Sequence, residues 1–134
     1  MTLVFCVLLG AAQAPPVEFP ATALKPALAE AQAADRLVVA EFWTMKTEPS
    51  RSYRARTLSS PAVLAWLAAH GVGARVNLDF NAKICAQLAV VDVPTLLVLD
   101  SDARVWGRIA GEKKPEEIVA ELEAARVARA AFAA

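Results

Sequence analysis

The feature that most narrows the fold is the run Leu37-Val38-Val39-Ala40-Glu41-Phe42-Trp43, apolar throughout except for one carboxylate. A strand with one wet face alternates apolar and polar side chains. A near-continuous apolar run instead suits a strand covered on both faces, as in a sheet between helical layers. A second strand of the same kind is expected at Thr95-Leu96-Leu97-Val98-Leu99. Around these runs the apolar spacing turns helical: Leu24 and Leu28 before the first, Val63, Leu64 and Leu67 after it, and Ile118, Val119 and Leu122 behind Pro115. Asp100-Ser101-Asp102-Ala103 supplies hairpin turn chemistry ahead of a last strand over 104–110. Crossover helices early and a hairpin late give an α/β sandwich with a mixed sheet.

Local signals place the remaining elements. A helix is expected over 21–34, with Pro26 tolerated in its first turn. Another starts at Pro49 and runs to about Thr57, with a break around Leu58-Ser59-Ser60. Ser60 can cap a further helix that has Pro61 at its first position and is ended by Gly71. A strand over 74–78 and a helix over 81–89 follow, and a minimal strand around 17–19 is left open.

With 134 residues the chain is one domain's worth, enough to bury a core without disulfides or metals. Lys plus Arg (14) balance Asp plus Glu (14), so no net field draws the chain to nucleic acid or to anionic membrane. No metal-ligand spacing, phosphate loop or aromatic nucleic-acid surface is present. Residues 1–14 stand apart: Leu3 to Ala12 is apolar, too short to span a bilayer, and is followed by Ala12-Gln13-Ala14 and then Pro15-Pro16. This segment is expected to be a secretory leader, although no Lys or Arg precedes it. Its removal leaves Cys85 as the one thiol, which cannot form an intramolecular disulfide and is expected to be a small buried residue.

Two motifs then acquire meaning together. Phe42-Trp43-Thr44-Met45-Lys46-Thr47-Glu48-Pro49-Ser50-Arg51 follows the first strand, and Val93-Pro94-Thr95 opens the strand at 95–99. Their order, with the Asn77-Leu78-Asp79 strand end and the later hairpin and glycine, resembles the thioredoxin family over roughly residues 35 to 126. That family carries FWxxWCxxCK after a strand and a later Ile/Val-Pro-Thr whose proline is cis. The resemblance implies a thioredoxin-like fold in residues 35–134, behind a linker and helix in 15–34. It also puts the two redox cysteines on Thr47 and Ser50, whose hydroxyls cannot replace a thiolate in disulfide exchange.

The resemblance implies further roles. Thr47-Glu48-Pro49-Ser50 reads as a helix start, with Thr47 as an N-cap and Glu48 beside the positive helix end. Glu41 falls on the family's buried acid and Arg75 near its usual lysine; with no cysteine to serve, they are expected to form a structural polar pair that satisfies its own desolvation. Val93, Pro94 and Thr95, with Trp43, Lys46, Glu48, Pro49 and Asp92, are the candidates for a groove that takes extended peptides. Lys46, Arg51, Arg54 and Arg56 surround the loop with only Glu48 opposing in sequence, as a solvated helical face or a seat for an acidic partner. His70 is expected at a helix end far from the loop, and Trp66 and Trp106 as packing residues.

The function implied is a redox-inactive thioredoxin-like domain that binds a peptide or protein partner, without cofactor or metal. Export to the periplasm or another extracytoplasmic space follows from the leader, with a cytoplasmic location as the alternative. An atypical thiol-disulfide oxidoreductase working through Cys85 or a partner's thiols is the competing function, and a purely architectural domain the third.

Overall fold

The computed structural model describes residues 18–133; the leader expected at 1–14 and the start of the linker lie outside the described residues. The elements run α1 (Leu24–Ala34), β1 (Leu37–Trp43), α2 (Glu48–Tyr53) with a π-helical continuation (Arg54–Leu58), α3 (Pro61–His70) and β2 (Gly71–Asn77). They continue with α4 (Ala82–Gln87), β3 (Thr95–Leu99), β4 (Val105–Ala110) and α5 (Pro115–Ala133). The four-stranded sheet has the order β2-β1-β3-β4. β1 is parallel to β2 and antiparallel to β3, and β3 is antiparallel to β4. This is the mixed α/β sandwich expected from the apolar runs.

Alternation along the strands divides the core into two layers. Leu37 and Val39 of β1, with Leu96 and Val98 of β3, pack against Tyr53, Leu58, Leu67, Ile118 and Leu122. Val38, Ala40 and Phe42, with Leu97 and Leu99, pack on the other side against Leu24, Ala27, Ala31, Cys85 and Val90. Both faces of β1 and β3 are therefore dry, which is why neither strand alternates in sequence. By the same alternation Glu41 falls in the first layer, where it is fully buried.

The segment ahead of β1 is part of this packing. Phe19 is fully buried, its amide donates to Ser59 Oγ (2.9 Å), and Arg75 N donates to Thr22 O (2.8 Å) along the outer edge of β2. Glu18 and Phe19 lie in no strand.

Several boundaries differ from the sequence expectation. β2 begins at Gly71, three residues before the predicted strand, because Leu37 to Val39 pair with Gly71 to Gly73 in register. The two glycines read locally as a helix stop and a loop. In the fold they admit close neighbours: a Cβ on Gly73 would sit 2.7 Å from Pro20 Cδ. Gly71 does end α3, but in an extended conformation (φ −136°) that enters the strand directly. α4 is shorter than the predicted 81–89, ending before Ala89, which takes a left-handed φ of 55°. The expected break near Leu58 appears as the π-helical stretch, and Ser60 caps α3 by accepting from Val63 N (3.4 Å).

Candidate functional site

The C-terminal ends of β1 and β2 and the N-terminal end of β3 meet at one end of the sheet, because β3 runs against the other two. There the chain leaves β1 through Thr44-Met45-Lys46-Thr47 and turns into α2. Asp79, just past β2, holds this loop. Its carboxylate accepts from Thr44 Oγ1 (2.9 Å) and Met45 N (3.3 Å) and pairs with Lys46 Nζ (3.4 Å). The Thr44 hydroxyl bond first, opposed by partial desolvation and aided by the Met45 amide and Lys46, holds the Asp79 carboxyl below the ordinary aspartate range. Neither Thr44 nor Asp79 was singled out by sequence reasoning; the one visible signal was the Asn77-Leu78-Asp79 spacing behind β2.

Ser50 and Thr47 part ways. Ser50 is fully buried and its hydroxyl accepts from Thr44 N (2.9 Å), closing the loop onto α2. Thr47 is exposed and stands at the N-cap position with extended backbone, yet its side chain makes no capping bond. The expected Thr47 cap is thus corrected. A capping oxygen takes the N–H of the second or third helical residue; Pro49, the second of α2, has none, and Thr47 makes no bond to the third, Ser50. The helix start is held through the backbone instead, by Arg51 N to Thr47 O (3.1 Å).

The basic rim has more acidic neighbours than Glu48 alone. Arg51 pairs with Glu48, Arg54 with Glu18 (2.9 Å) and Arg56 with Glu112 (2.6 Å). Arg54 also donates to Phe19 O (2.6 Å). The opposing carboxylates arrive from positions far apart in sequence, so only Glu48 was visible locally. With the Lys46–Asp79 pair, each basic side chain of the cluster has an acidic partner among the described residues.

Beside the loop, the Val93–Pro94 peptide is cis. Pro94 and Thr95 are buried, Val93 is half-buried and Asp92 is exposed. Thr95 Oγ1 donates to Asp92 O (2.6 Å), and Gly111 N donates to Pro94 O (2.9 Å), fixing this turn against the end of β4. Among the described residues the backbone N–H and C=O of Val93 have no hydrogen-bond partner. Three large apolar side chains stand out on the segments at this end: Met45 (58% exposed), Phe80 (81%) and Val91 (81%). None was flagged by the sequence, since solvent exposure depends on what the tertiary fold leaves uncovered.

Behind the loop, Arg75 lies opposite Glu41 in the β1–β2 register and donates Nε to Glu41 Oε1 at 2.5 Å. Its guanidinium also sits 4.1 Å over the Trp43 ring. The pair exists, but it does not satisfy itself: among the described residues Glu41 Oε2 and Arg75 Nη2 have no hydrogen-bond partner. One Nε–Oε contact uses a small part of what a five-donor guanidinium and a two-oxygen carboxylate can make. Burial outweighs the attraction of Arg75 and pushes the Glu41 carboxyl up. Burial likewise pushes the Tyr53 phenol up to about 12.

The remaining candidates lie elsewhere. Cys85 is 2% exposed in the layer beneath α1 and α4, and burial pushes its thiol up. His70 packs against Trp66 with tilted rings (centroids 5.3 Å apart, 53° between planes) at the opposite end of the sheet from the loop. Trp66 Nε1 donates to Glu123 (3.0 Å) and Trp106 Nε1 to Asp100 (2.9 Å), so both tryptophans pack with their polar edge bonded. Among the described residues no group of His, Cys, Asp and Glu is placed to hold a metal, and no helix is long and apolar enough to cross a membrane.

No protein family's sequence profile matches the chain, and no curated protein is similar to it in sequence. Solved structures are. A thioredoxin from Thermus thermophilus superposes with a TM-score of 0.71 at 27% identity, over 79% of this chain and 85% of that one. The DsbH oxidoreductase gives 0.71 at 14% identity, over 83% and 86%. A chain from the complex of ferredoxin:thioredoxin reductase with thioredoxin f2 gives 0.63 at 23% identity, over 83% and 99%. Strand order, the loop-to-helix turn after β1, the Val93-Pro94-Thr95 turn facing it and these likenesses agree: the chain belongs to the thioredoxin-like superfamily.

Proposed function

We propose that this domain performs no dithiol chemistry and uses the sheet end around Thr47 and Pro94 to bind an extended segment of another protein. The observation that carries the reading is the fate of Ser50: the group at the second redox position is a buried hydroxyl engaged by Thr44 N. Oxygen at that position cannot form a mixed disulfide, and the thiol of Cys85 is buried in the opposite layer. The one histidine, His70, lies at the other end of the sheet and is not placed to activate the Thr47 or Ser50 hydroxyl. Binding is supported by the unpaired backbone of Val93, which can take strand-like hydrogen bonds, and by Met45, Phe80 and Val91. Trp43, Lys46, Glu48, Pro49, Asp92 and Thr95 complete the proposed contact region. The apolar start of the chain supports export as the setting, with the cytoplasm as the alternative.

The decisive experiment is insulin reduction by purified mature protein with dithiothreitol. The expected result is no turnover above the reagent alone. Turnover that disappears in Cys85→Ala would establish the competing reading, an oxidoreductase acting through Cys85. Binding is checked by pull-down with Lys46→Glu and Asp92→Lys, which are expected to weaken capture of a partner that the parent protein retains. Retention by both variants speaks for a purely architectural role.

A further inference from the structure

At the sheet end remote from the Thr47 loop, a cleft of about 380 Å³ opens between the α1–β1 turn, the end of α3 and the last turns of α5. Arg36, His70, Arg126 and Arg129 line it with a single lining carboxylate, Asp35, over a floor that includes Leu37 and alanines. The arginines come from separate parts of the chain, Arg36 from the turn before β1 and the other two from α5. Two are already pinned. Arg36 Nη1 donates to the carbonyls of Ala68 (2.8 Å) and Leu67 (3.2 Å), covering the negative end of α3 that would otherwise repel an anion. Arg126 is held by Glu123 through Nε and Nη2. Both keep unengaged N–H groups. Arg129 is half-buried and, among the described residues, has neither an ion pair nor a hydrogen bond.

We propose that this cleft is a binding site for a phosphoryl group, in inorganic phosphate or at one end of a small phosphate ester, held by Arg36, Arg126 and Arg129 with His70 at its edge. Guanidiniums match a phosphate's oxygens by paired hydrogen bonds, and pinning them beforehand lowers the entropic cost of binding. Among the described residues no carboxylate pairs with Arg129; an incoming oxyanion would take that place. The organic part of an ester would rest on Leu37, Ala69 and Ala130. This site is separate from the protein-binding reading and stands whether or not that reading holds.

The network supplies its own reporter, because Trp66 packs against His70 and donates to Glu123, the partner of Arg126. Inorganic phosphate and phenyl phosphate are titrated in turn at constant ionic strength, following the Trp66 indole N–H by NMR. Saturable shifts confined to Trp66, Arg36 and the 126–130 segment are expected, with phenyl phosphate tighter. Arg129→Gln should weaken binding about tenfold, and Lys25→Gln, outside the cleft, should leave it unchanged. Sodium chloride producing the same shifts, or Arg129→Gln binding like the parent, would overturn the proposal. Equal affinity for the two phosphates would remove the organic part of it.

Discussion

At the scale of single residues, the change that matters most is oxygen in place of sulfur at Ser50, and its cost of removal is structural. Ser50 Oγ is the acceptor for the buried Thr44 N–H. Ser50→Ala strands that donor and is expected to destabilise the protein by about 1–3 kcal/mol, read from urea denaturation. Thr47→Ala, which removes an exposed side chain making no cap bond, should stay within about 0.5 kcal/mol of the parent. The contrast between the two checks that the loop is held by the serine. Cys85 gives a second prediction. With 2% of its surface exposed and burial raising its pKa, it should react with a disulfide reagent at neutral pH only as fast as the chain opens. Unfolding in urea should release the full thiol. Rapid labelling of native protein would put Cys85 back among the candidates for chemistry.

At the scale of elements, signals carried by neighbouring residues were legible and those carried by packing were not. Ser60-Pro61 before Val63, Leu64 and Leu67 announces α3, and the Ser60 cap is where the sequence puts it. Ser60→Ala should cost about 1 kcal/mol. β2 shows the opposite case. Gly71-Val72-Gly73 has poor strand propensity, and only the in-register pairing with Leu37 to Val39 makes it a strand. Gly73→Ala tests this, since the added Cβ would meet Pro20 Cδ at 2.7 Å while the backbone conformation itself tolerates alanine. A loss of about 1–3 kcal/mol is expected from thermal or urea unfolding, the range for overpacking. An unchanged stability would mean that the 18–22 segment does not lie along β2.

At the scale of the whole molecule, the Glu41–Arg75 pair sets a pH dependence. Both groups sit in the layer beneath α2, and burial raises the Glu41 carboxyl despite Arg75. A carboxyl whose pKa is higher folded than unfolded binds its proton more tightly when folded. Its contribution is therefore fully present below the unfolded pKa and is lost as pH rises through the folded one. The stability of the parent relative to Glu41→Gln should thus fall as pH rises above the ordinary glutamate range, and level off once the folded carboxyl has ionised. A difference that grows with pH would mean that Arg75 dominates the pair. Asp79 and Asp100, whose pKa values are lowered, run the other way, but they are common to both proteins and cancel in the comparison.

The sequence by itself determined the layers, because two nearly continuous apolar strands can exist only between two covered faces, and it located the helix starts, because caps and prolines act over three or four residues. It also placed Thr47, Ser50 and Val93-Pro94-Thr95 in the order that marks the superfamily. The tertiary structure alone decided how charge and exposure are distributed: which carboxylates balance Lys46, Arg54 and Arg56, that Glu41 and Arg75 meet through a single contact, and that Asp79 ties the loop down. Those outcomes join residues tens of positions apart. Coulomb attraction and burial act through space, and no local pattern along the chain records them.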